Sequence, residues 1–543
     1  MIWKKFFNSQ TETVTGAAII LGATTLASRL LGFIRDRVLA HYFGAGDIVD
    51  VYYAAFKIPD LAYNLIILGA FSAGFIPIFS KLFNRSFLKN KKDEAWRLVN
   101  NAINTLGIFL IFLTIILIIL APLLVPLIAP GFSEEKLTLT IKMTRVMLLS
   151  PLLLGLSTVV GAVLQSLKNF FIYSLSPMMY NVGIIIGAVI FVPLLGNAGL
   201  AWGVILGALL HFLIQLPSLF HAGYAYFWLF NFKDKNLLNV IKLIIPRTLG
   251  LAAGQLNAIV MTVFASTLAV GSVAVYNYAF NLQSLPLGLI GISFAVAAFP
   301  TLSELAAKGD KEKIISTFSS TTRQILFFTI PLMILFLMLR AQIVRVVLGT
   351  GAFDWDATIK TSDTLAFFTL SLFAQSLIPL LARSFYALED TITPFISGLI
   401  SVGLNIIVAW QITKGNFGVE GLALAFSLGN LVNFILLWVL LRIRLKNLDE
   451  TNILPAVYKM SAAAILMGLT VQALKQVGDV FLDTHTFLGI LSQALLAGLG
   501  GLIIYILVGL LLKNKEMQIF INVIKKRLIR RPAVALDVSE INK

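Results

Sequence analysis

The chain contains no cysteine, which excludes disulfides, thiolate metal sites, iron–sulfur clusters and thiol catalysis. Histidine is almost as scarce, and His41, His211, His221 and His485 lie too far apart to form a metal-ligand motif. No metal or other cofactor is expected. Charge is sparse too: 13% of the 543 residues are ionisable against 58% hydrophobic, far too polar-poor a surface for a soluble globule. The absence of a G-x-x-x-x-G-K-[ST] loop removes the usual nucleotide cradle, so any transport must draw on an ion gradient, the membrane potential or mass action. "GAFDWDAT" offers Asp354 and Asp356 without a neighbouring histidine or cysteine, a pair that reads as helix caps rather than as the acids of an enzyme on lipid-linked sugars.

Long apolar runs are what the chain does have. On a template of about 20 residues per bilayer crossing they predict about fourteen transmembrane helices, an all-α polytopic membrane protein. The spans fall near 14–40, 49–80, 99–129, 138–166, 170–195, 199–220, 241–268, 272–305, 316–340, 361–388, 391–411, 419–442, 454–476 and 487–512. No small-residue cleavage site follows the first run, so it reads as a retained span. Loop charges alternate with this count. Lysines and arginines follow spans 2, 4, 6, 8, 12 and 14, which places both termini in the cytoplasm and accounts for much of the net charge of +16 without nucleic acid. Arg345 on the opposite side and a cation-free turn after span 10 are exceptions. Two stretches read as lying on the membrane surface against anionic lipid: "YAYFWLFNFKDK" (224–235), aromatic with a basic end as interfacial helices are, and a basic tail with Met517, Phe520, Ile521, Ile524 and Leu528 on one stripe.

The chain also repeats itself. "VYYAAFKIPDLAYNLIILGAFSAGFIPIFSKL" from Val51 is echoed by "VYNYAFNLQSLPLGLIGISFAVAAFPTLSEL" from Val275. Val51 and Val275 are 224 residues apart, Pro77 and Pro300 are 223 apart, and Gly199 and Gly421 are 222 apart. Six helices make an even number of crossings, so the copies are parallel repeats. The expected organisation is an N-terminal lobe (1–222), an amphipathic interfacial linker (223–240), a C-terminal lobe (241–446), two further helices (447–512) and a basic tail (513–543).

Against this background the first span is anomalous, because "ASRLLGFIRDR" puts Arg29, Arg35 and Asp36 into an apolar helix. Each ionised group at the centre of a span costs about 2.5–3.5 kcal/mol, so these side chains must face water, protein or ligand. Arg29, Gly32, Phe33 and Asp36 share one helical stripe, with Arg35 beside it. Arg29 stands roughly 23 Å into the helix, too deep to snorkel, whereas Arg37 lies near its end. Gly32 leaves space beside the cations for a bulky anion or another helix, and Asp36 can hold an arginine in place. Asp50 and Lys57 align with Ala274 and Asn281 across the repeat, so the first lobe is the more ionic wall. Arg247 and Arg383 are further intramembrane cations. Several guanidinium groups facing one cavity suit a phosphate or diphosphate and would repel the organic cations of a multidrug antiporter.

The set "SRLLGFIRD", "FGAGDIVDVYYAAFKIPDL", "GAFSAGFIPIFS", "APGF", "SPMMYN" and "FYALEDTITP" resembles the MurJ (MviN) lipid II flippase family of the multidrug/oligosaccharidyl-lipid/polysaccharide exporter superfamily, over about positions 14 to 512. The resemblance implies fourteen helices, two six-helix lobes around a cationic cavity, and a lipid-tail groove formed by the last two helices. It implies that lipid II crosses from the inner to the outer leaflet of the bacterial cytoplasmic membrane by alternating access. A functional monomer working beside cell-wall synthesis proteins is expected. Arg29 and Arg35 are implied to meet the diphosphate, with Asp36 as their acidic partner and Asp50 as the family's acidic residue before helix 2. The alternative is a flippase for another polyprenyl-diphosphate glycan, of O-antigen or capsule type. Departures from the family pattern are Asn281 in place of an arginine, Phe280 and Ser284 in place of acids, and Tyr63 in place of a second arginine. Arg247 is the expected substitute for the missing second-lobe cation. Asn257 and Asn405 occupy the family's sodium-site region without a carboxylate, which favours the membrane potential over sodium as the driving force.

Overall fold

The computed structural model describes residues 14–66, 70–89, 93–415 and 417–529, and all regular structure among them is helical. Nine helical segments among the described residues are long and apolar enough to cross a membrane. The number is ten if the bent pair Trp355–Thr369 and Leu372–Ala387, 44° apart, forms one span. One of the nine, Phe170–His221, is 52 residues long, which at 1.5 Å per residue is more than twice a bilayer core of about 30 Å. The chain reverses in it at Gly196, whose φ is 65°, and Gly199–Leu213 packs back along Phe170–Ile186, so it crosses twice. The expected count of fourteen is therefore not set by length and composition alone. The expected span 49–80 is broken at Phe56, between Asp47–Ala55 and Lys57–Ile66, and residues 67–69 lie outside the described residues. Pro59 explains the break, because it has no N–H to donate to Ala55.

The chain forms two compact units. The first comprises Met1–Leu285, Val344–Phe368 and Gly398–Gly429; the second comprises Pro286–Ile343, Thr369–Ser397 and Asn430–Lys543. In the first, Phe71, Phe75, Phe79 and Phe83 stack at i, i+4 spacing with centroids 5.2, 5.6 and 5.6 Å apart. This file packs with Trp96, Val99, Val160 and Ile172. The hairpin Phe170–Ile186/Gly199–Leu213 closes on Gly183 and Gly187 against Gly203 and Gly207, where the backbones touch and no Cβ fits. The core of the second unit is built on Phe318, Ile325, Leu380, Phe385, Leu441 and Met467. Outward-facing Ile119, Leu123, Leu127 and Leu469 are 63–68% exposed, as a lipid-facing belt requires.

Residues 224–231 differ from the sequence expectation: they form no helix, and helix begins only at Lys235. Three asparagines buried on the helix Asp93–Ile128 supply the reason. Asn100 donates to Ala225 O (3.2 Å) and accepts from Tyr224 Oη (2.8 Å) and Phe227 N (3.1 Å). Asn101 donates to Asn231 O (2.9 Å) and accepts from its N–H (2.8 Å), and Asn104 donates to Leu229 O (2.9 Å). The amides substitute for the hydrogen bonds a helix would have made, and burial of the strap pushes the Tyr224 phenol up to about 12. Asn101→Ala leaves the Asn231 N–H unpaired, at about 1–3 kcal/mol, and its carbonyl with only the Asp234 N–H at 3.3 Å. Protease cleavage within 224–233 is expected to become faster in that variant, with the rest of the chain unaffected.

Candidate functional site

The charged side chains of the first helix, Val14–Phe43, lie within the first unit and meet polar groups from three other helices. Arg35 donates from Nε (3.0 Å) and Nη2 (2.8 Å) to Asp36 Oδ1, and from Nη1 to Asn181 Oδ1 (3.1 Å) on Phe170–Ile186. Asp36 is 2% exposed, and its Oδ2 accepts from Asn281 Nδ2 at 2.9 Å. Lys57 Nζ reaches Asn277 Oδ1 at 3.4 Å, and Asp60 acts electrostatically on both Lys57 and Arg35. Asn277, Asn281 and Ser284 are spaced i, i+4, i+7 on Ser272–Pro286, so one polar stripe answers the cationic stripe of the first helix.

Arg29 is in a different condition. It is half-buried, donates to Ser284 O at 3.1 Å, and has no carboxylate partner among the described residues. With Arg29, Arg35 and Lys57 against Asp36 and Asp60, the cluster keeps one uncompensated positive charge, and Arg29 is the group that carries it. Arg35, by contrast, is already neutralised by its neighbour.

Asp50 stands apart from this cluster. Its Oδ2 accepts from Gly271 N (2.8 Å) and its Oδ1 from Ala274 N (2.9 Å), so it caps the helix Ser272–Pro286 from across the fold. Lys136 Nζ lies 3.2 Å from Asp50 and 2.6 Å from Asp47. Three glycines with φ of 58–86° interlock the loops here: a Cβ on Gly44, Gly271 or Gly351 would strike the backbone of Ala352, Ala45 or His41 respectively. Asp50→Ala removes the cap and one partner of Lys136, and is expected to lower stability by about 3 kcal/mol. Asp50→Asn keeps an acceptor and should lose less; thermal unfolding in detergent ranks the two.

Other expected residues have different surroundings. Gly32 leaves room for a small side chain, with an added Cβ no nearer than 4.0 Å to Asn181 Oδ1. Arg37 donates to Val346 O (2.5 Å) and Val347 O (3.3 Å) at the carboxyl end of the helix Arg340–Val347 rather than snorkelling. Arg345, the exception to the charge alternation, stacks on Trp355 at 5.3 Å. Arg383 belongs to the second unit and donates to Pro379 O of its own helix at 3.4 Å. Arg247 lies on Lys235–Ser266, but its side chain falls outside the described residues. Asn405 Nδ2 donates to Asn257 Oδ1 at 2.7 Å, an amide pair with no acid in it. Asp354 accepts from Ala357 N at 2.8 Å, a helix cap.

Sequence reasoning missed Asn181, Asn277 and Asp60. Asn181 is a neutral residue in an apolar run and carries no periodic signal. Asn277 was within reach, because it sits four residues before Asn281 on the same face.

A family model described as "Lipid II flippase MurJ" matches residues 39–492. A probable lipid II flippase MurJ of Vibrio cholerae is 30% identical over 510 residues, covering 88% of this chain and 95% of that protein. The solved structure of a lipid II flippase MurJ in an inward closed conformation superposes with a TM-score of 0.73 at 25% identity, covering 94% of this chain and 100% of that one. An inward-facing multidrug resistance transporter of the wider superfamily has a TM-score of 0.66 at 16% identity over 78% of this chain and 96% of its own, a likeness of fold alone. The chain belongs to the lipid II flippase MurJ family.

Proposed function

We infer that this chain is a flippase that moves lipid II, the undecaprenyl-diphosphate-linked peptidoglycan precursor, from the inner to the outer leaflet of the bacterial cytoplasmic membrane. The single observation that supports the reading most is the uncompensated guanidinium of Arg29 beside the buried Arg35–Asp36 pair. A diphosphate arriving at Arg29 offers Arg35 a second anion. Arg35 can exchange Asp36 for a phosphoryl oxygen, while Asn281 continues to satisfy the carboxylate. The single positive charge that the site keeps without ligand would then be outweighed by the charge of the bound diphosphate. Empty and loaded carriers differ in charge, so a potential of 100 mV biases their movement by about 2.3 kcal/mol per charge.

This reading takes residues 1–222 and 241–446 as the two rocking lobes, 223–240 as the linker between them, 447–512 as the seat of the lipid tail, and both termini as cytoplasmic. On that topology the interlocked loops at Gly44, Gly271 and Gly351 lie on the outer side and must part for release. Organic cations fit the site poorly, because Arg29 would repel them. A flippase for another polyprenyl-diphosphate glycan would use the same clamp. Replacing an essential lipid II flippase with this chain separates the two: the reading requires growth without accumulation of lipid II. Lysis despite stable expression would contradict it.

A further inference from the structure

The second unit contains a charged pit unrelated to the first-helix cluster. On Lys311–Met338, Arg323 donates from Nε to Glu516 Oε1 (2.7 Å) and from Nη1 to Ser319 Oγ (2.6 Å), with Asp449 Oδ2 at 3.5 Å. Glu516 belongs to the tail helix Lys515–Ile529, so this network docks the tail. Met517 is 1% exposed, and Phe520 lies 5.7 Å from Phe327 and 5.8 Å from Phe328 between ring centroids. The tail is therefore packed against the bundle through its first turns.

Beside this network opens a cavity of about 160 Å³, lined by Arg323, Thr451, Asn452, Lys459, Lys515 and Glu516 among others. Its one lining carboxylate, Glu516, is already held by Arg323. Lys459 reaches only the Lys513 carbonyl, at 3.5 Å, and Lys515 is exposed; neither has an acidic partner among the described residues. Arg323, Lys459 and Lys515 against Glu516 and the adjoining Asp449, both of which pair with Arg323, leave the pit with an excess of one positive charge. The Thr451 and Asn452 side chains add neutral polar groups at the rim. On the same helix, Glu450–Phe481, Leu454 and Tyr458 are 66% and 75% exposed, an apolar wall beside the polar opening.

We propose that this pit binds a phosphate group, bridged between Lys459 and Lys515, and that the bound anion clips the tail helix to Glu450–Phe481. A phosphate offers oxygens to two ammonium groups at once, and its charge matches the excess. Two sources share this chemistry: the phosphodiester of an anionic lipid, whose chains would lie along Leu454 and Tyr458, and phosphate in solution.

The test is the ligand-induced rise in unfolding temperature of the full-length protein in detergent, titrated separately with phosphatidylglycerol, phosphatidylcholine and inorganic phosphate. Neither lysine is paired to an acid, so K459Q/K515Q breaks no ion pair, and K515Q alone, on an exposed side chain, serves as the milder variant. Phosphatidylglycerol is expected to stabilise the wild type at concentrations at least about tenfold lower than those K459Q/K515Q needs, with K515Q between them, while phosphatidylcholine has no such effect. A lysine-dependent shift with inorganic phosphate as well would identify soluble phosphate as a ligand of the same site. A shift confined to phosphatidylglycerol would identify the lipid. Equal responses to the two lipids, or unchanged responses in both variants, would overturn the proposal.

Discussion

Arg29→Ala is expected to abolish rescue of cells depleted of their own lipid II flippase, although the variant accumulates in the membrane at the wild-type level. Among the described residues the guanidinium of Arg29 has one backbone acceptor and no carboxylate, so its loss breaks no ion pair there and leaves no buried counter-charge behind. What it removes is the cation free to meet the diphosphate. A charge-assisted hydrogen bond to such a group contributes about 2–3 kcal/mol, which lowers the transport rate by about 30- to 150-fold. Arg29→Lys keeps the charge but loses the planar fork, and partial rescue is the expected outcome. Lipid II retained in the inner leaflet, measured by its accessibility to an externally added hydrolase, is the readout.

Gly203→Leu is expected to prevent folding. Gly203 faces Gly187 so closely that a Cβ would collide with the Gly187 backbone, and Gly183 and Gly207 make the neighbouring contact. A backbone cannot yield as a flexible side chain does, and forcing the helices apart would also unseat Asn181, the partner of Arg35. The expected cost is about 3 kcal/mol or more, seen as loss of monodisperse protein on purification. Gly32→Ala is the internal control. Its Cβ would stand 4.0 Å from Asn181 Oδ1, an ordinary contact, and the variant should be obtained in normal yield.

Much of the fold is legible in the sequence because lipid imposes a simple pattern: apolar runs of bilayer length, separated by charged or glycine-rich turns. Arg35 and Asp36 are equally legible, being adjacent and too costly to leave unpaired in a span. Their neutral partners are less so: Asn281 comes into view by its alignment with Lys57 across the repeat, whereas Asn181, 146 residues from Arg35, is an asparagine in an apolar run with no periodic or charge signature. Asp50 is visible as a charge, but its task as a helix cap depends on the approach of Gly271 and Ala274, 221 and 224 residues further along. The strap at 224–231 shows the same limit from another direction. Its aromatic, basic composition favours an interfacial helix, yet Asn100, Asn101 and Asn104 bind the backbone in a non-helical course. Long-range hydrogen bonds override local preference here, and composition does not encode them.

The most direct test of the diphosphate clamp compares binding of undecaprenyl diphosphate and undecaprenyl monophosphate to the purified protein, wild type and Arg29→Ala. The wild type should prefer the diphosphate by at least about tenfold, and the variant should lose that preference while still binding the hydrocarbon chain. Equal affinity of the wild type for both lipids, or an unaltered preference in the variant, would contradict the account.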